Sequence, residues 1–179
     1  MTFTQAIKTC LGKYVTFSGR ATRPEYWFFF LFVLLLGLAA AAIDWMFFTS
    51  VTSISSEAAN ATVIQSSQPV QSLVALVVFL PHLAAAWRRM HDTGRSGWHV
   101  LLPTLLAMVA FAVLVFGIGA ASHFHGGTMD RLLTGATLLI LLPTLIVLLI
   151  SPLLVLFWLS RPSQPETNKY GPNPHEVQP

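Results

Sequence analysis

The chain has 179 residues, 54% of them hydrophobic and 9% charged, with a mean hydropathy of +0.66. Soluble globular domains carry roughly 25% charged residues, so this composition excludes them and predicts a membrane protein. The pI near 9.4 does not indicate nucleic acid, because no basic face with interleaved aromatics is present, and the lone Cys10 excludes an internal disulfide.

Residues 1–20 place Phe3, Ile7, Cys10 or Leu11, and Tyr14 at helical spacing, with Lys8 and Lys13 off that stripe. The pattern predicts an amphipathic helix that either lies along the inner headgroup layer or packs on the protein's own helices. In "GRATRPEYW", Thr22 and Glu25 have capping-box spacing and Pro24 suits a first helical turn. Thr22 is expected to accept from the Glu25 amide while the Glu25 carboxylate reaches back to the Thr22 amide. Tyr26 and Trp27 then fall at headgroup depth.

A bilayer core of ~30 Å takes about 20 helical residues, and four stretches qualify: 27–48, 70–87, 98–121 and 132–160. Asp44, near the outer end of the first, is expected to reach headgroup water. The loop from Thr49 to Pro69 is polar and rich in small residues, which predicts an exposed outer loop. Its "NAT" at 60–62 matches a glycosylation acceptor that a bacterial source would leave idle. Gln71, Ser72, Pro81 and His82 dilute the second span. Pro81 frees the carbonyl of Val77 for a neighbouring donor or water. His82 is expected to hydrogen-bond another helix or the backbone, with a proton or substrate role as the rival. Between the third and fourth spans, His123 and His125 are expected to be exposed loop histidines rather than a metal site. Pro143 and Pro152 predict kinks in the fourth span, the alternative being an interfacial piece followed by a shorter span. The tail, 161–179, holds five of the eleven prolines and should be extended.

Lysine and arginine set the orientation. Lys8, Lys13, Arg20, Arg23, Arg88, Arg89, Arg95, Arg161 and Lys169 fall on one side of this four-span arrangement and Arg131 on the other. Both termini and the 88–98 hairpin are therefore expected in the cytoplasm, and a cleaved signal peptide is not expected. The chain divides into a cytoplasmic segment 1–26, a membrane domain 27–160 and a Pro-rich tail 161–179.

The hairpin "RRMHDTGRSGW" concentrates charge between two apolar stretches. Arg88, Arg89 and His91 complement the carbonyls at a helix C-terminus, Gly94 can close that helix in a left-handed conformation, and Ser96 can cap the next. Asp92 among arginines is not explained by this. Its i, i+4 pairing with Arg88 is weak, and His91 beside it does not make a catalytic pair. All five basic residues of the two motifs are arginine, although lysine would satisfy topology equally well, and arginine's planar fork holds carboxylate or phosphate through two bonds. If the motifs meet, Arg20, Arg23, Arg88, Arg89 and Arg95 outnumber Glu25 and Asp92. One reading gives the surplus to an anionic lipid headgroup. The other is a structural network of Thr22, Glu25, His91, Asp92 and Ser96 with the arginines.

"FSGRATRPEYW" and "WRRMHDTGRSGW", with "NKYGPNP" after the last span, resemble the three signature stretches of the bacterial inner-membrane family called domain of unknown function 805. Pro24 departs from a commonly basic position in that family, and 99–160 is longer than in its compact members. The resemblance implies a multi-span inner-membrane protein and no particular activity. The expectation is thus an all-α integral membrane protein of about four transmembrane helices with an N-terminal amphipathic helix. Its expected role is a non-enzymatic scaffold or interaction protein without cofactor or metal, meeting anionic phospholipid, a second copy or a membrane partner, and not nucleic acid. The alternative is a small-solute or ion transporter subunit using His82.

Overall fold

The computed structural model describes residues 1–55, 60–124, 135–174 and 176. Thr2 and Gln5 form a complete capping box that starts helix α1 (Phe3–Gly12). Its buried positions are Ala6 and Cys10, while Phe3 and Leu11 of the expected stripe stay exposed. Small side chains turn inward because α1 packs closely on α2 (Arg23–Phe48) and α3 (Pro69–Asp92). Cys10 joins a cluster with Tyr26, Phe29, Ala85, Ala86, Met90, Val155 and Leu159.

Thr22 caps α2, its hydroxyl accepting from the Glu25 amide at 3.3 Å, and Pro24 occupies the first turn. At its far end the polar connection is not an irregular loop. Strands β1 (Thr49–Ser55) and β2 (Asn60–Ser66) pair antiparallel, from Thr49 opposite Ser66 to Ser55 opposite Asn60. The β-branched residues Thr49, Val51, Thr52 and Ile54 in "TSVTSIS" and Thr62, Val63 and Ile64 in "NATVIQS" favour a pleated backbone; polarity alone suggested a loop. Helix α3 runs through Asp92, five residues past the expected end of the second span at Trp87. Pro81 stays inside it, and the Val77 carbonyl it frees accepts the Tyr14 hydroxyl.

Asp44 does not reach headgroup water. It is 2% exposed, and its carboxylate accepts from the Val70 amide at 3.0 Å and the Gln71 amide at 2.8 Å. The cap residue of α3, Gln68, makes no side-chain cap bond. A carboxylate from α2 therefore satisfies the orphan amides and the positive end of α3's dipole, which a hairpin connection brings within reach.

After α3 a 3-10 turn (Gly97–Leu101) leads into α4 (Leu102–Phe124). Ser96 holds the N-cap position, yet its side chain makes no cap bond; its carbonyl instead accepts from the His99 amide and ring Nδ1. The tighter i, i+3 geometry of the turn engages the carbonyl and leaves the hydroxyl unused. His123 belongs to the last turn of α4 rather than to a loop, and His125 lies outside the described residues. Helix α5 (Gly135–Ser160) is continuous through Pro143 and Pro152, with residues 132–134 outside the description.

Among the described residues, three helical stretches are long and apolar enough to cross a membrane: Arg23–Phe48, Pro69–Asp92 and Leu142–Ser160. The expected span 98–121 falls on the 3-10 turn and α4, where Gly97–Ala112 forms a shorter apolar helix among the described residues. Large apolar side chains cover the outside: Met46, Phe47, Leu76, Phe111 and Phe116 are 70–77% exposed. Water would not tolerate so much contiguous apolar surface, whereas lipid does. The most deeply buried large side chains include Arg88, Arg89 and Asp92 beside Phe29, Met90, Pro81 and Cys10, so a polar group gathered at one end shares the interior with the apolar cluster.

Candidate functional site

The end of α3 is built to stop there. Gly94 takes φ +77°, its amide donates to the His91 carbonyl at 3.0 Å, and the Arg95 amide donates to Met90 at 2.9 Å. These two bonds make a Schellman closure. Residues 88–92 consequently remain helical and project side chains toward the start of α2 on one side and the end of α5 on the other.

Arg88 faces the first motif. Its Nη2 donates to Glu25 Oε1 at 3.1 Å and its Nη1 to the Thr16 carbonyl at 2.6 Å, with both partners of the ion pair buried. The Glu25 carboxylate therefore does not close the expected capping box. It turns inward because a buried guanidinium gains far more from a charged acceptor than an exposed helix amide does. Arg88 also takes no part in an i, i+4 pair with Asp92; that carboxylate faces Arg89 and Arg20.

Asp92 is the hub. It is fully buried and accepts from Arg20 Nε at 2.9 Å, from Arg89 Nη1 and from the Ser163 hydroxyl. Arg89 turns its other nitrogens to the end of α5, donating to the Leu159 carbonyl at 2.9 Å and to the Arg161 carbonyl. It thereby caps carbonyls that the helix cannot satisfy itself. Arg20 reaches the tail, donating to the Gln164 carbonyl at 2.6 Å and the Glu166 carbonyl at 2.8 Å.

The tail folds back on this hub. Gln164 donates its amide to the Asp92 carbonyl at 3.0 Å. Asn168 donates its side-chain amide to the His91 carbonyl at 3.0 Å, and the Tyr170 ring lies 3.7 Å from the His91 ring at an angle of 3°. The other face of the motif is held by His91 Nδ1, which donates to the Gly19 carbonyl at 3.1 Å. The three sequence motifs, some seventy residues apart in the chain, thus form one hydrogen-bonded junction.

Of the ten residues singled out for this face, Arg20, Thr22, Glu25, Arg88, Arg89, His91 and Asp92 come together. Arg23 is exposed, its Nε donating to the Arg161 carbonyl at 2.9 Å. Arg95 lies on the rim over the Trp158 ring, and Ser96 is peripheral. His82 sits apart, between Tyr26 and Phe30, and its Nε2 has no hydrogen-bond partner. The expected interhelical or backbone bond is not made there, because aromatic rings of α2 occupy the facing surface. Sequence reasoning missed the role of the Arg161 carbonyl, Ser163 and Gln164, which lack a motif signal, whereas Cys10, expected on the α1 stripe, packs there in the apolar cluster. Burial, then the Glu25 charge, pushes the Cys10 thiol up to about 12 against the opposing pull of Arg88. It is a protonated packing group.

Apolar helices with a lipid-compatible exterior and a closed polar end define a polytopic α-helical integral membrane protein. The chain belongs to the family described as "Protein of unknown function (DUF805)", which matches residues 14–172 and so includes the junction and most of its third motif. It is similar to Inner membrane protein YhaH of Escherichia coli strain K12, 32% identical over 116 residues, covering 63% of this chain and 83% of that one. It is also similar to Inner membrane protein YhaI of the same strain, 38% identical over 92 residues, covering 51% and 64% respectively. No solved structure matches. Its helices contact membrane lipid.

Proposed function

We propose that the protein is a non-enzymatic inner-membrane scaffold whose arginine-bearing end faces the cytoplasm and engages anionic lipid or a membrane partner. The observation that carries this is the internal use of Arg20, Arg88 and Arg89. Each is buried and bound by Asp92 or Glu25 and by backbone carbonyls, with Arg88 Nε alone of their nitrogens lacking a partner, so the junction locks helices and tail instead of presenting reactive groups. Its thiol is buried and held protonated, which removes the one strong nucleophile. Recognition then falls to the exposed rim.

The same geometry, together with charge, supports this orientation. The start of α2, the end of α3 and the end of α5 share the junction. A chain that leaves the junction after α3 and returns to it at the end of α5 makes an even number of crossings, with α4 as the outward one. Nine of ten basic residues then lie on the junction side, as cytoplasmic retention requires. Glu57→Cys and Thr167→Cys in a Cys10→Ala chain test this with a membrane-impermeant maleimide. Only the first should label in intact cells; labelling of the second there would refute the orientation. Mass spectrometry in native lipid should find anionic phospholipid or a protein partner retained. A bare monomer indifferent to lipid charge would reject the scaffold reading.

The unpartnered Nε2 of His82 favours one rival, a transporter subunit in which that nitrogen meets a proton or solute. Solute flux in proteoliposomes that disappears in His82→Ala would select it.

A further inference from the structure

We propose that the cleft between the hairpin and the start of the tail, lined by Thr93, Gly94, Arg95, Arg161 and Gln164, binds a phosphate group through Arg95, Arg161 and the Gln164 amide. The proposal rests on the rim reading above and narrows it to one site. The cleft holds about 420 Å³, ample for a phosphate with its ester substituents.

The donor set carries the argument. The junction's buried arginines are matched by Asp92 and Glu25, whereas no carboxylate lines this cleft, and Arg95 and Arg161 form no ion pair among the described residues. Arg95 donates one bond, at 3.3 Å, to the Thr93 carbonyl, which leaves most of its fork unused. Gln164 has its Oε1 fixed by Asn168 at 2.9 Å, so its Nε2 is left as a donor beside Gly94. The φ of Gly94 and its missing Cβ allow this approach, since a Cβ would stand 2.3 Å from Gln164 Nε2. The neighbourhood is short of negative charge: partial burial, and then the Arg161 charge, hold Arg95 below the usual arginine range. A bound anion relieves that repulsion. Phosphate fits best, because several acceptor oxygens can face two guanidinium forks and an amide together.

Aromatics set the depth. Arg95 lies 5.1 Å from the Trp158 ring centroid and Arg161 5.8 Å from that of Phe157, both in the last turn of a lipid-exposed helix. Trp98 is 65% exposed nearby in sequence. Cation–π contacts hold the forks where a bilayer places its headgroups.

The test uses the full chain in uncharged detergent, titrated with phosphatidylglycerol, phosphatidylcholine or inorganic phosphate, with occupancy read by native mass spectrometry. Saturable binding of phosphatidylglycerol or inorganic phosphate, weakened about tenfold or more by Arg95→Gln and by Arg161→Gln, supports the site. Lysine at either position should restore little, because the fork is lost. Lys169→Gln removes the same charge outside the cleft and should change binding less than twofold. Each variant's melting temperature without ligand shows that it is folded, and Arg95→Lys serves if a glutamine variant is not. Equal losses in Lys169→Gln and the cleft variants would overturn the cleft while leaving a diffuse lipid-facing rim intact. Binding of inorganic phosphate alone would keep the site and assign it a soluble ligand. Indifference to all phosphates would overturn both the cleft and the anionic-lipid rim.

Discussion

Asp92→Asn is the most informative single substitution. It removes one negative charge from a site with no exposed surface and leaves Arg20 and Arg89 facing a neutral amide. Breaking a buried pair costs about 3–5 kcal/mol, because the remaining charge stays desolvated. Two pairs share this carboxylate, yet the loss does not double. Arg20 keeps the Gln164 and Glu166 carbonyls and Arg89 keeps that of Leu159. About 4 kcal/mol results, or roughly a thousandfold in the opening equilibrium at 1.4 kcal/mol per decade. Glu25→Gln is the internal standard: it breaks one buried pair, and Arg88 keeps its 2.6 Å bond to Thr16, for about 3 kcal/mol at the lower end of the same range. Unfolding in mixed micelles of dodecylmaltoside and dodecyl sulfate reads global stability. Trypsin cleavage after Lys169 reads release of the tail, which Asp92 holds through Ser163 and Arg20 and Glu25 does not hold at all. Equal destabilisation by the two variants, or unchanged cleavage in Asp92→Asn, would refute the hub.

Cys10, with its thiol raised to about 12, should react with a maleimide at pH 8 about a thousandfold more slowly than an ordinary thiol, and at the ordinary rate once detergent unfolds the chain. The sign follows from protonation: the folded state holds the proton more tightly, so this contribution is complete below pH 9 and is lost as pH rises toward 12. Gly97→Ala puts a Cβ 2.1 Å from the Trp87 indole and should cost about 1–3 kcal/mol with a shift in tryptophan emission; Gly12→Ala, with nothing within 4 Å, should do neither. Tyr14→Phe should cost about 1–2 kcal/mol by orphaning the Val77 carbonyl where lipid offers no donor. In Pro81→Ala, whose amide can return to that carbonyl, the same change should cost almost nothing, and a double-mutant cycle showing no coupling would refute the assignment.

Three of the four expected spans were legible as membrane-crossing helices among the described residues, because twenty-residue apolar runs have few alternative fates, and the α3 closure because Gly94 has few other uses. Tyr14 meeting Val77 was half legible: Pro81 announces a free carbonyl but not its donor. Asp44 was not, since its role depends on α2 lying beside the first turn of α3. Glu25 misled for a related reason. Capping spacing is local, whereas Arg88 is 63 residues away and wins only after the helices pack. Among the described residues the tail forms no helix, as its prolines predict, yet they conceal Asn168 and Tyr170, whose turn docks on His91.

The surplus of arginine in the motifs now has a physical account. Three buried guanidiniums meet two buried carboxylates, leaving about one positive charge in a place where water is scarce. Helix ends supply the difference, since each carries roughly half a negative charge on its unpaired carbonyls. Arg89 takes the end of α5 at Leu159 and Arg161, and Arg20 reaches the carbonyl of Asp92 at the end of α3. Asp92 alone would be unfavourable at a helix C-terminus, where the dipole repels it, so its presence requires cations aimed from outside the helix. Lysine could neutralise that charge but could not also cap a second helix, because an ammonium is a point charge and a guanidinium is a fork. The junction is therefore a nearly neutral lock. The side chains of Arg95 and Arg161 lie outside it and have no carboxylate partner among the described residues.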